Sequence, residues 1–167
     1  LARRAMARLG HPEVAVPHAD DRAPVWPAGI TGSITHTDRW CGVALARNDV
    51  RRGIGLDVEL DTALKPDVRD AIVSDYDRAW LRRDTAEHQR ALGKLVFSAK
   101  ESAYKAQYAI TQEFLGFDAM WIALDEDAQR FVATFRRASG VFAVGDTLEG
   151  RFARRDGLVA TVVEIEP

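Results

Sequence analysis

The chain has 167 residues, 47% apolar and 29% charged, with a net charge of −2. That is ordinary for a globular protein with one substantial core, or two small lobes sharing one. The missing basic excess argues against a nucleic-acid partner, although a small phosphorylated ligand needs only a local cationic cluster. The one cysteine, Cys41, allows no internal disulfide framework and suits a reducing, cytoplasmic setting. No apolar run approaches the ~20 residues of a membrane span, so no membrane partner is expected.

In chain order, Leu1 to Gly10 opens in mid-pattern. It reads as the last turns of a helix closed by a glycine, with a further N-terminal portion expected before it. Residues 11–29 carry Pro12, Pro17, Pro24 and Pro27 and read as loop. Thr31 to Ala46 is apolar and β-branched and reads as extended, with a turn at Asn48-Asp49. Ile54, Leu56, Val58 and Leu60 then alternate with Gly55, Asp57 and Glu59, the period of a half-buried strand. That period sends Asp57 and Glu59 to the face opposite the apolar residues. Gly53 and Gly55 leave this acidic face bare, open to close approach by a ligand or another backbone.

Residues 67–83 favour a helix, and residues 86–109 a longer one. In the longer helix Leu92, Leu95, Val96, Ala99, Ala103 and Ala106 recur at three and four, forming a core stripe. Lys94, Ser98, Glu101 and Lys105 fall on a different stripe, flanked by Phe97, Tyr104 and Tyr108. Residues 119–165 return to strand character, with hairpins turning at Asp125-Glu126-Asp127 and Arg154-Arg155-Asp156-Gly157. The class is α+β with mainly antiparallel sheets.

Three constellations bear chemistry. Asp57 and Glu59 are hard oxygen donors of the kind Mg²⁺ prefers, though acids on a strand also serve as a solvated face. Glu101 and Lys105 have the spacing of an ordinary helix-surface ion pair, worth ~0.3–0.5 kcal/mol. Aromatic and ionic residues opposite the core stripe favour a cleft wall instead. Ser33, Thr35 and His36 supply donors for a phosphate, or hydroxyls that bond nearby backbone. No Gly-rich lysine loop, dinucleotide fingerprint or nucleophile elbow is present.

Taken in order, three blocks resemble one family. They are Trp26-Pro27 through Gly32-Ser33-Ile34-Thr35-His36, then Gly53-Ile54-Gly55-Leu56-Asp57-Val58-Glu59, then Phe97-Ser98-Ala99-Lys100-Glu101-Ser102-Ala103-Tyr104-Lys105-Ala106. Phe114-Leu115-Gly116-Phe117 and the early Ala2-Arg3 fit as well. The chain resembles the two-lobed 4′-phosphopantetheinyl transferases, in the subgroup of enterobactin-type and mycobacterial-type enzymes. The resemblance implies transfer of the phosphopantetheine arm of coenzyme A to a serine of an acyl or peptidyl carrier protein, releasing 3′,5′-ADP. It implies two pseudo-symmetric α+β lobes, 1–51 and 52–167, with the active site between them.

It further implies Asp57, Glu59 and Glu101 around Mg²⁺ or Mn²⁺, and Lys105 on a phosphate. Arg3, Arg22, Thr35 and His36 would hold the 3′-phosphate end of coenzyme A. Asp21 stands where the family often carries a basic residue. Either Glu101 or Glu59 can accept the serine proton. Glu101 is favoured because Lys105 beside it keeps it ionised. A monomer is expected, with Arg82, Arg83 and Arg90 as a basic patch for acidic carriers. The rival readings are a Mg²⁺-dependent phosphohydrolase and a non-catalytic module binding coenzyme A or a carrier.

Overall fold

The computed structural model describes residues 1–74, 76–77 and 86–167. Helix α1 (Ala2–Arg8) precedes the hairpin β1 (Ile30–His36) and β2 (Cys41–Arg47). Then come β3 (Gly53–Leu60), α2 (Pro66–Ile72), α3 (Ala86–Thr111) and a 3₁₀ turn at Phe117–Ala119. Strands β4 (Met120–Asp125), β5 (Arg130–Phe135), β6 (Thr147–Arg155) and β7 (Leu158–Ile165) complete the fold. The architecture is α+β with two antiparallel sheets, as expected. The sheets are unequal: β1–β2 is two-stranded, and the other has five strands in the order β3-β7-β6-β5-β4. No helix among the described residues is long and apolar enough to cross a membrane.

Both expected hairpins form. Asp156 and Gly157 take φ of 53° and 73° between β6 and β7, the left-handed pair that matches strand twist. The segment 31–46 is a hairpin rather than one extended run, because Thr37 turns the chain. Its Oγ1 accepts from the N–H groups of Arg39 (3.3 Å) and Trp40 (3.1 Å). The helix expected over 67–83 ends at Ile72, and Val73 is extended. Ser74 then begins a reciprocal cap, its N–H donating to Asp77 Oδ2 (2.9 Å) while Asp77 N–H donates to Ser74 Oγ (3.3 Å). Residues 78–83, with Ala79-Trp80-Leu81, Arg82 and Arg83, lie outside the described residues, as does the Arg90 side chain.

The core lies between α3 and the five-stranded sheet. Leu92, Leu95, Val96, Ala99, Ala103 and Ala106 are all fully buried, as their spacing predicts. They pack against Ile122, Phe131, Phe135, Val159 and Val163. Each large side chain so buried contributes ~1.5–3 kcal/mol.

Helix α3 also lies directly on β3. A Cβ added to Gly55 would stand 1.7 Å from the Ser102 carbonyl oxygen, and one on Gly53 would stand 2.3 Å from that of Ala106. Another backbone therefore fills the bare strand face.

Lys100 and Asp77 form a second, fully buried polar centre, 3% and 0% exposed. Lys100 Nζ donates to Asp77 Oδ2 (2.7 Å) and to the carbonyls of Ile72 and Phe117 (both 2.8 Å). Asp77 Oδ1 accepts from the N–H of Ile122 at 3.0 Å. The pair joins α2, α3, the 3₁₀ turn and β4. Burial pulls the Lys100 ammonium below the ordinary lysine range, and Asp77 opposes that shift.

Two stability predictions follow from this packing. Gly55→Ala should lower unfolding free energy by about 1–3 kcal/mol or more, because a backbone carbonyl cannot step aside as a side chain does. Lys100→Met leaves Asp77 buried without a counter-charge and should cost about 3–5 kcal/mol. Urea titration followed by circular dichroism checks both.

Candidate active site

The acidic face of β3 and the polar stripe of α3 meet. Because Gly53 and Gly55 admit the helix, Asp57 and Glu59, further along the same strand face, stand beside that stripe. Ser98 Oγ donates to Asp57 Oδ2 (2.8 Å), and Lys105 Nζ donates to Asp57 Oδ1 (2.6 Å). Lys94 Nζ donates to Glu59 Oε2 at 3.2 Å. Glu101 Oε2 stands 3.9 Å from Lys105 Nζ. Lys105 does draw the Glu101 carboxyl down, but burial outweighs it, and the charges of Asp57 and Glu59 add to the rise. The closer partner of Lys105 is Asp57, so the ion pair read from helix spacing is the weaker of its two.

Strand β1 closes the other side. Thr31, Ser33 and Thr35 are buried at every second position. Thr31 Oγ1 donates to the carbonyl of Arg52 (3.4 Å) and Ser33 Oγ to that of Leu56 (3.3 Å). Thr35 Oγ1 donates to Asp57 Oδ1 (3.4 Å) and accepts from the N–H of Val58 (3.1 Å). The β1 hydroxyls thus bond a strand more than twenty residues away, neither a local turn nor a free phosphate site.

A cleft of about 680 Å³ opens beside this junction. Arg22, Trp26, Ser33, Tyr104, Lys105 and Phe114 are among its walls. Trp26 is fixed there by its indole N–H, which donates to the Gly32 carbonyl at 2.9 Å. The cleft combines three cations, Arg22, Arg52 and Lys105, with aromatic faces and an adjoining set of carboxylates, which suits a phosphorylated ligand with an aromatic moiety.

Comparison with known proteins agrees. A family model for the 4′-phosphopantetheinyl transferase N-terminal domain matches residues 1–46, and one for the 4′-phosphopantetheinyl transferase superfamily matches residues 53–163. The chain is 34% identical to 4′-phosphopantetheinyl transferase Npt of Nocardia iowensis, over 97% of this chain and 77% of that protein. It is 36% identical to Svp of Streptomyces mobaraensis, over 98% and 68%, and 32% identical to PptT of Mycobacterium tuberculosis, over 97% and 74%. Both of those are likewise 4′-phosphopantetheinyl transferases.

The chain belongs to the 4′-phosphopantetheinyl transferase superfamily.

The family acts on coenzyme A as substrate and modifies carrier proteins. In this transferase Asp57, Glu59, Glu101 and Lys105 are brought together, Arg22 and Lys105 line the cleft, and Thr35 is buried against Asp57. His36 is exposed at the end of β1. Arg3 lines a second cavity with Arg4, Glu13 and Cys41.

Among the described residues no three acids, cysteines or histidines converge as a metal cluster. The oxygen set nonetheless fits a hard cation in kind, because a cation already sits in it. The Lys105 ammonium is 2.6 Å from Asp57 Oδ1, 3.4 Å from the Leu56 carbonyl and 3.9 Å from Glu101 Oε2.

Ser98 lies on the stripe that its spacing predicts, but its bond to Asp57 comes only with the fold, as does the place of Thr161 beside it. The signal for Ser98 was its position three residues before Glu101 and seven before Lys105, on the face that meets the acids.

Asp21, at the position where the family often carries a basic residue, lies at the cleft wall against α3, where Tyr108 Oη donates to its carboxylate. Asp21 also accepts from the N–H of Ala23 at 3.0 Å. The tyrosine holds the Asp21 carboxyl below its usual range, and the carboxylate pushes the Tyr108 phenol up to about 12. In an ultraviolet titration Tyr108 should therefore ionise near pH 12. Asp21→Asn should return it toward the ordinary value of about 10, and an unmoved curve would refute the contact.

Proposed function

We propose that this cleft performs the family reaction, transfer of the 4′-phosphopantetheine arm of coenzyme A to a carrier-protein serine, with Asp57, Glu59, Glu101 and Lys105 as its working residues. The observation that carries the assignment is the convergence of the β3 acids and the α3 stripe beside a cleft lined by Lys105 and Arg22.

The serine oxygen attacks the pyrophosphate phosphorus that bears the pantetheine arm. A new P–O bond forms, the bond to the bridging oxygen breaks, and 3′,5′-ADP departs with that oxygen. Such attack needs the charge on bridging and terminal oxygens neutralised. Lys105 supplies one positive charge at the cleft wall, and Arg22 a second. Asp57, Glu59 and Glu101 would hold Mg²⁺ or Mn²⁺, which supplies the remaining charge neutralisation when bound.

Glu101 accepts the serine proton. It is the acid with the loosest cation, at 3.9 Å, whereas Asp57 and Glu59 hold ammonium groups at 2.6 and 3.2 Å. Arg3 and His36 hold no position in the cleft wall, so their contact with the 3′-phosphate end of coenzyme A requires a reach from outside it. The lobes divide at Arg51–Arg52, a reading supported by the gap between the two matched family segments, 1–46 and 53–163. The active form is a cytoplasmic monomer that engages neither nucleic acid nor membrane, in keeping with the composition and the lone cysteine.

Incubation with coenzyme A and an apo carrier protein, with and without Mg²⁺, tests the assignment by the mass of the carrier. The transferase adds the phosphopantetheine arm only with the metal. A hydrolase releases phosphopantetheine without a carrier, and a binding module leaves both substrates intact. Asp57→Asn and Glu101→Gln should each slow single-turnover transfer about 10²–10⁴-fold. Near-normal transfer by Glu101→Gln at saturating Mg²⁺ would remove it as the proton acceptor.

A further inference from the structure

Asp57 uses its two oxygens differently. Oδ1 accepts from Lys105 (2.6 Å) and Thr35 (3.4 Å), and Oδ2 accepts from Ser98 Oγ (2.8 Å). Ser98 Oγ also lies 2.9 Å from Thr161 Oγ1. The Thr161 hydroxyl donates to the main-chain carbonyl of Ser98 at 2.8 Å. Thr161 is the direct cross-strand neighbour of Asp57 in the β3–β7 ladder. Contacts therefore run in a closed loop from β3 to α3 to β7 and back along the ladder.

All three residues are buried: Asp57 is 4%, Ser98 0% and Thr161 1% exposed. Each hydroxyl has one proton to give. The Thr161 proton is spent on the Ser98 carbonyl. The Ser98 proton goes to the carboxylate, a stronger acceptor than a neutral hydroxyl. Neither hydroxyl is free to turn toward water, so the plane of the Asp57 carboxylate is set from behind.

We propose that Ser98 and Thr161 are positioning residues of the transferase reaction: through the hydrogen bond to Oδ2 they fix the Asp57 carboxylate so that Oδ1 is presented to Lys105 at the cleft wall. The inference rests on the assignment of Asp57 to the reaction. It goes beyond that assignment in giving a functional task to two side chains that touch neither the cleft nor any reacting atom. A purely structural role predicts a change in melting temperature alone; a positioning role predicts weaker cation binding by the acids.

The test compares Ser98→Ala, Thr161→Val, Thr161→Ser and Asp57→Asn in the intact chain. Three quantities are measured: Mn²⁺ binding by electron paramagnetic resonance with coenzyme A present, the Mg²⁺ concentration for half-maximal transfer, and the melting temperature. Ser98→Ala and Thr161→Val should weaken Mn²⁺ binding and raise the half-saturating Mg²⁺ about 10-fold or more, the usual cost of losing a ligand's supporting hydrogen bond. Thr161→Ser keeps the hydroxyl and should restore both. Added to Asp57→Asn, Ser98→Ala should change Mn²⁺ binding by less than about twofold, since its effect acts through Asp57.

Unchanged Mn²⁺ affinity in Ser98→Ala and Thr161→Val overturns the inference, whatever the melting temperature. Full additivity with Asp57→Asn does the same. Should Ser98→Ala fail to fold, the Thr161→Val and Thr161→Ser pair decides. The two readings separate cleanly. Impaired Asp57→Asn with normal Ser98→Ala and Thr161→Val defeats only the positioning role, while a fully active Asp57→Asn with normal Mn²⁺ binding defeats the assignment beneath it.

Discussion

Helix α3 lies against β3 at a separation that only a strand face without side chains permits. Gly53 and Gly55 admit the backbone at Ser102 and Ala106, where any Cβ would overlap a carbonyl oxygen. The next residues on that face are Asp57 and Glu59. The close approach at one end of the strand therefore decides how far the acids at the other end stand from Ser98, Glu101 and Lys105. Three carboxylates and two lysines share a small region because two residues contribute nothing but backbone.

Strand β3 is held on its two edges by different means. Along β7 it has an unbroken antiparallel ladder from Gly53↔Ile165 to Leu60↔Leu158. Along β1 it is stitched by Thr31, Ser33 and Thr35, whose hydroxyls satisfy backbone groups that a ladder would otherwise pair. Hydroxyl contacts of this kind are longer and more adjustable than a ladder. The edge where the two sheets meet is thus the softer one, and the cleft lies along it.

Legibility in the sequence followed the range of the interaction. The core stripe of α3 is a local periodicity and is legible down to the individual buried residues. The alternation of β3 marks the strand but not its burial: α3 and β1 cover the acidic face, so Asp57 is buried while Leu60 at the strand end is exposed. The bare glycine face was legible as a place of close approach, but not what approaches, since that needs the helix in position. The single extended reading of 31–46 failed because Thr37 turns the chain through its own hydroxyl, a weak signal beside Gly or Pro. Thr35 and Lys105 stand out in the sequence, but Asp57 as their shared partner lies 22 and 48 positions away and comes only with the fold. The same holds for Lys100, whose partner Asp77 lies 23 residues upstream.

Lys100 and Glu101 are consecutive, so on a helix their side chains diverge by about 100°. Glu101 joins the β3 acids, and Lys100 enters the buried centre with Asp77, Ile72 and Phe117. An apolar stripe alone tolerates several degrees of roll about the helix axis, because dispersion contacts are many and shallow. Three directed bonds from one ammonium do not. The Lys100 centre acts as an index pin for the angular phase of α3. It holds on one side of the helix the orientation that Glu101 and Lys105 need on the other, without itself approaching the cleft.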